Sequence, residues 1–96
     1  MHLDIITPEK KIFTGEVDAV QMPGVDGLFQ VLGGHAPIIS ALTEGSVKVD
    51  LANSDVEFND LTGEIERDTS HDKVIRVKIK GGVMEMMNDK IIILAE

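Results

Sequence analysis

The sequence contains no cysteine, no tryptophan and no tyrosine, and only three phenylalanines. Without cysteine there are no disulfides and no thiolate metal sites, which suits a reducing compartment. With so few rings, the core has to be built from Ile, Val, Leu and Met. Cations are scarce as well: nine Lys and Arg stand against seventeen Asp and Glu, for a net charge of −8. Nucleic acid is therefore not an expected partner, because phosphate binding needs a basic footprint. No apolar run approaches the ~18 residues of a membrane span; the longest is "IIILA". The opening "MHLDIITPEKK" has no apolar h-region and is not Arg-rich, so neither a signal nor a transit peptide is read there. These absences predict a soluble domain, or one peripheral to a larger assembly without direct insertion into the membrane.

What remains is 96 residues, 43% of them hydrophobic, the composition of a single globular domain. The acidity is local. Asp50, Asp55, Glu57, Asp60, Glu64, Glu66, Asp68 and Asp72 are accompanied by one cation, Arg67, so eight minus one places −7 of the −8 between residues 50 and 72. Two segments alternate with period 2. Val47, Val49 and Leu51 oppose Ser46, Lys48 and Asp50; Ile75, Val77 and Ile79 oppose Arg76, Lys78 and Lys80. Both predict strands with one buried and one wet face. "EVDAVQM" and "LFQVL" are shorter β-rich runs, and "VMEMM" joined to "KIIILA" through Asn88-Asp89 predicts a hairpin. Ile91 to Leu94 lack alternation, which predicts a strand covered on both faces. Gly or Pro interrupts the windows where a helix would start, so the fold class expected is an all-β antiparallel sandwich or barrel.

"MPGVDGLFQVLGGHAP", Met22 to Pro37, carries four glycines and two prolines in sixteen residues. Pro23-Gly24 suits the centre of a type II turn and Asp26-Gly27 is a second turn signal. A strand ending at Met22 is thus expected to reverse into one starting at Leu28. Gly33-Gly34 should break that strand and leave His35 in a bent, exposed loop. His35 has no nucleophilic elbow around Ser40, and His2 and His71 stand apart from it in the sequence. The glycines lack the Lys-Ser/Thr of a phosphate loop. No catalytic, metal or cofactor-binding residue is assigned. "DVEFND" lacks the glycine and distal glutamate of a calcium loop, and reads as a solvated acidic hairpin. Lys90 occupies a hairpin tip as the modified lysine of lipoyl-carrier domains does, but only six residues follow it, too few for the second half of such a domain.

In colinear order, several pieces resemble the N-terminal β-sandwich of the epsilon subunit of F-type ATP synthases. They are "LDIITPEKKIFTGEV" (Leu3–Val17), "VQMPGVDGLFQVLGGHAPIISAL" (Val20–Leu42), "EGSVKV" (Glu44–Val49) and "GGVMEMMNDKIIILAE" (Gly81–Glu96). The resemblance implies a ten-stranded sandwich of two five-stranded antiparallel sheets, with an enlarged acidic hairpin or loop near residues 51–73. It further implies a non-catalytic rotor element at the cytoplasmic face of the bacterial inner membrane. Such an element joins the gamma subunit to the polar loops of the c-ring. Carried over by motif, Asp26, Leu28, Leu32, Gly33 and His35 are expected on the c-ring side, and Thr7, Ile38, Ser40 and Leu42 on the gamma side.

Three departures stand out. The family often has a proline where Gly33 stands and an acidic residue where Leu28 stands, with Asp26 as the nearest substitute. The stretch between Leu51 and Lys73 is longer and more acidic than the family's usual connection. The resemblance also stops at "LAE", where family members commonly continue into two regulatory helices, so no nucleotide site is expected in these 96 residues. A second reading sets the family aside and takes the chain as an unrelated all-β interaction module binding a basic partner through its acidic insert.

Overall fold

The computed structural model describes residues 1–53, 65–68, 70, 71 and 73–96. The expected sequence alternation becomes strand in both diagnostic segments. β1 spans His2–Ile6, β2 Lys11–Gly24, β3 Gly27–Leu32, β4 Ile38–Leu42 and β5 Gly45–Leu51. β6 spans Ile65–Arg67, β7 Val74–Ile79, β8 Gly82–Met87 and β9 Lys90–Ala95. Val47, Val49 and Leu51 on β5 and Ile75, Val77 and Ile79 on β7 are all buried. In register they face one another across the β5–β7 pair, Val47 beside Val77 and Val49 beside Ile75.

Two layers share one core. The first runs β2-β1-β9-β8-β4 and the second β3-β2-β5-β7-β6. β2 belongs to both. A straight strand of fourteen residues would span about 43 Å, whereas the molecule extends 28 Å along its longest principal axis, so β2 has to bend. The register shift between Val17 and Ala19 marks the place, a bulge being the usual way to turn a strand from one sheet to the next. Residues Lys11 to Glu16 pair with β1, and Ala19 to Gly24 pair with β3. A single pairing, Gly24 with Leu42, closes the far end of β2 on β4.

The all-β reading therefore holds. Nine strands are present among the described residues where ten were expected, and β2 takes a place in each layer. The β1–β9 pairing is parallel, whereas the other pairings are antiparallel. A parallel pair needs a long connection, and these two strands have nearly the whole chain between them.

The core is aliphatic with methionine, as the shortage of rings required. Leu3, Ile5, Val20, Met22, Val31, Met84, Met86, Ile91 and Ile93 are essentially inaccessible, and Phe13 is the largest buried side chain. Each such side chain contributes about 1.5–3 kcal/mol by leaving water.

Two local expectations are corrected. The turn after β2 lies at Val25-Asp26, two residues beyond Pro23-Gly24, which stay in the strand with Pro23 opposite Leu28. Both are held from the β4 side, Gly24 pairing with Leu42 on β4 and the N–H of Thr43, the residue after β4, donating to the Pro23 carbonyl at 2.8 Å. β9 is also not covered on both faces: Ile91 and Ile93 are buried, Ile92 is half-buried and Leu94 is exposed. The acidic insert between Leu51 and Lys73 falls largely outside the described residues.

Candidate interaction surfaces

Among the described residues, the large hydrophobic side chains left in water are Val25, Leu28, Leu32, Ile39, Val83, Met87 and Leu94. They form two groups. Three lie on the β2–β3 hairpin and four on the outer face of the first layer.

The hairpin is shaped by its glycines. A Cβ on Gly24 would sit 2.9 Å from both the Gly27 carbonyl oxygen and the Phe29 ring, and Gly27 itself has φ +123°. The tip is tied to β4 by the Val25 N–H donating to the Ala41 carbonyl at 3.3 Å. Asp26 is exposed in the turn. Along β3, Leu28, Gln30 and Leu32 project outward while Val31 is buried. This stripe runs along an edge, since β3 pairs only with β2 among the described residues.

The β3–β4 loop follows. The His35 N–H closes a turn onto the Leu32 carbonyl at 3.2 Å, with Gly34 at φ +82°. Gly34 N–H donates to Asp89 Oδ1 at 3.0 Å, which fastens the loop to the β8–β9 turn. There Asn88 and Asp89 both have positive φ (52° and 63°), as a two-residue hairpin turn of the primed type requires. His35 is exposed, and its Nδ1 donates to the Ala36 carbonyl at 2.6 Å. It lies on no cluster of ligands: among the described residues no group of three His, Cys, Asp or Glu could hold a metal.

The outer face of the first layer changes character from one side to the other. On β4, β8 and β9 it carries Ile39, Ala41, Val83, Glu85, Met87, Ile92 and Leu94, brought side by side by the registers Ile39–Glu85, Ala41–Val83, Val83–Leu94 and Glu85–Ile92. On β1 and β2 it is polar. Asp4 is the buried charged side chain there. It accepts from Thr14 Oγ1 at 2.5 Å and from His2 Nε2 at 3.1 Å, and His2 Nδ1 lies 2.7 Å from Glu16. Burial alone would push the Asp4 carboxyl up; the hydrogen bonds from Thr14 and His2, with attraction to His2 and Lys11, outweigh it and leave the pKa lowered.

The family described as "ATP synthase, Delta/Epsilon chain, beta-sandwich domain" matches residues 1–63. The ATP synthase epsilon chain of Chlorobium limicola is 40% identical over 94 residues, covering 98% of this chain and 86% of that one. That of Chlorobaculum tepidum is equally similar over the same shares. The chain belongs to the ATP synthase epsilon chain family. The epsilon chain of Desulforamulus reducens is 35% identical over 99% of this chain but only 58% of its own length. The same fold occurs in the cryo-EM structure of the Tetrahymena thermophila mitochondrial ATP synthase central stalk/c-ring, with a TM-score of 0.64 and 15% identity over 98% of this chain and 63% of that one. Membership makes this a subunit of a membrane-associated complex, and it removes the reading of an unrelated interaction module. No helix among the described residues is long and apolar enough to cross a membrane.

Set on this epsilon-type sandwich, the residues singled out in the sequence separate. Asp26 and Leu28 lie at one end of β3, and Leu32, Gly33 and His35 at the other. Five residue steps divide Gly27 from Leu32, about 17 Å. Ile38, Ser40 and Leu42 share the inward side of β4: Ile38 and Ser40 are half-buried, and Leu42 is a core residue at 5% exposure. The Leu42 side chain faces the core rather than solvent. Thr7 builds the β1–β2 turn, its Oγ1 accepting the Lys10 N–H at 3.2 Å.

The residues that sequence reasoning passed over are Ile39, Val83, Met87 and Leu94. For Ile39 and Leu94 the signal was in the unbroken "APII" and "IIILA" runs, and for Val83 and Met87 in "VMEMM", where apolar residues occupy both phases of a strand.

Proposed function

We propose that this chain works as a non-catalytic rotor subunit of a proton-translocating ATP synthase, joining the gamma subunit to the polar loops of the membrane c-ring. Its place is the cytoplasmic face of the bacterial inner membrane, and it supports coupling of proton flow to ATP synthesis. The observation that carries the reading is the sorting of exposed apolar side chains into two separate surfaces on one small acidic domain of the epsilon family. A coupler needs two docking sites on a rigid body, and contiguous apolar exposure marks such sites. The hairpin and loop surface, with Asp26, Leu28, Leu32, Gly33 and His35, is assigned to the c-ring loops. The side of the molecule bearing β4 is assigned to gamma, with the β4 edge residues Ile38 and Ser40 and the Thr7 turn at its margin. The whole chain is read as one epsilon-type domain, with the acidic stretch near 51–73 as an insertion.

The test is calorimetric titration into the purified gamma subunit of the same organism, together with co-purification with detergent-solubilised c-ring. One-to-one binding to gamma, and retention on the ring weakened by Leu28→Glu or His35→Ala, are expected. No binding to gamma at micromolar concentration would sink the reading.

A further inference from the structure

Glu85 stands at the centre of the apolar outer face. Along β8 its neighbours on that face are Val83 and Met87. Across the strands it is in register with Ile39 on β4 and Ile92 on β9. Four apolar side chains therefore surround one carboxylate. Among the described residues Glu85 has no ion-pair partner: Lys90, the diagonal cation on this face, stands beside Met87 and makes none with it.

Uncovered, that carboxylate is hydrated and its position costs nothing. Covered by a purely apolar surface it would lose its water without compensation, a penalty large enough to prevent docking. Whatever occupies this face has to bring a cation to its middle. A second copy of the chain does not qualify, because a two-fold contact through this face would set Glu85 near its own counterpart. The dimensions narrow the occupant further. Three neighbouring strands are about 10 Å across from first to last, the width of one helix with its side chains. From Val83 to Met87 is about 14 Å, or two to three helical turns.

We propose that the outer face of β4, β8 and β9 docks one amphipathic helix of a partner protein, with a Lys or Arg in the middle of its apolar stripe meeting Glu85. This rests on the reading of the chain as a rotor subunit, which makes the gamma subunit the partner to test. The carboxylate sets specificity, since it rejects apolar helices that lack the cation.

The experiment is calorimetry of wild type, Glu85→Gln, Glu85→Lys and Ile39→Ser against purified gamma, at two salt concentrations. Both side chains, Glu85 and Ile39, are exposed, and each variant's urea unfolding curve is expected to match wild type. Glu85→Gln should weaken binding about 10- to 100-fold and Glu85→Lys more. Ile39→Ser should weaken it as well, and the Glu85 variants should lose part of the salt dependence. Wild-type binding that Glu85→Gln and Glu85→Lys leave unchanged would overturn this proposal and keep the rotor reading, with Glu85 then acting only against aggregation. Absence of wild-type binding would overturn both. Dimerisation of wild type in sedimentation, abolished by Ile39→Ser, would give the face to a second copy and also overturn the proposal.

Discussion

Asp89 accepts the backbone N–H of Gly34 at 3.0 Å, joining the β8–β9 turn to the β3–β4 loop across fifty-five residues of sequence. The same carboxylate lies 3.8 Å from the ammonium of Met1. One side chain thus holds three separate pieces of chain at one end of the molecule, while its own backbone sits at φ 63°. Asp89→Ala removes the acceptor and places a residue with a lower left-handed tendency in the turn. A loss of about 1–2 kcal/mol in urea unfolding is expected, with faster amide exchange at Gly34. Asp89→Asn keeps an acceptor and a left-handed preference, so it should lose less.

Gly82 is the second position where backbone decides. It has φ +145°, and an added Cβ would overlap the carbonyl oxygen of Leu94 on the adjacent strand. Neither a rotamer change nor a flexible neighbour relieves that contact. Gly82→Ala is expected to cost at least about 3 kcal/mol, seen as a large fall in the thermal midpoint with an unchanged strand signature.

The two phases of β4 give a paired prediction. Leu42 is buried in the core and Ile39 is 70% exposed. Leu42→Ala should lose about 2–4 kcal/mol of stability. Ile39→Ala should stay within about 0.5 kcal/mol of wild type and lower the affinity for gamma. A large stability loss in Ile39→Ala would mean that the assigned phase of β4 is wrong.

Acid titration probes the turn between β6 and β7. The Arg76 guanidinium bonded to Asp68 at 2.9 Å, with N–H donors from Ser70 and His71, holds the Asp68 carboxyl down at about 2. A depressed carboxylate stabilises the fold above its unfolded value near 3.8. That contribution falls as pH drops below 3.8 and is gone below about 2. A carbon-detected titration should find Asp68 titrating near 2 in wild type. Arg76→Gln should move it up towards the ordinary value and remove that part of the acid dependence.

Much of the architecture was readable in residue order because a strand's period of two is written directly into side-chain type. Val47-Val49-Leu51 and Ile75-Val77-Ile79 announced half-buried strands, and Asn88-Asp89 announced a turn that needs positive φ. The family, too, was legible, since its ordered turn motifs depend on glycines and prolines whose conformational needs are local. The loop that exposes His35 followed from the same signals.

Tertiary structure decided the rest. Alternation is silent where both phases are apolar. In "APIISAL" and "IIILA" only the pairing of β4, β8 and β9 determined that Ile39 and Leu94 face outward while Leu42 and Ile93 fill the core. Registers between distant strands also surrounded Glu85 with Val83, Met87, Ile39 and Ile92, residues up to fifty-three positions apart in the chain. They bent β2 through both layers and closed Gly24 onto Leu42, drawing the turn away from Pro23-Gly24. Local sequence carries torsional preference and the period of burial. Which face is left in water is a property of how strands meet, and that depends on the free energy of the whole packed core.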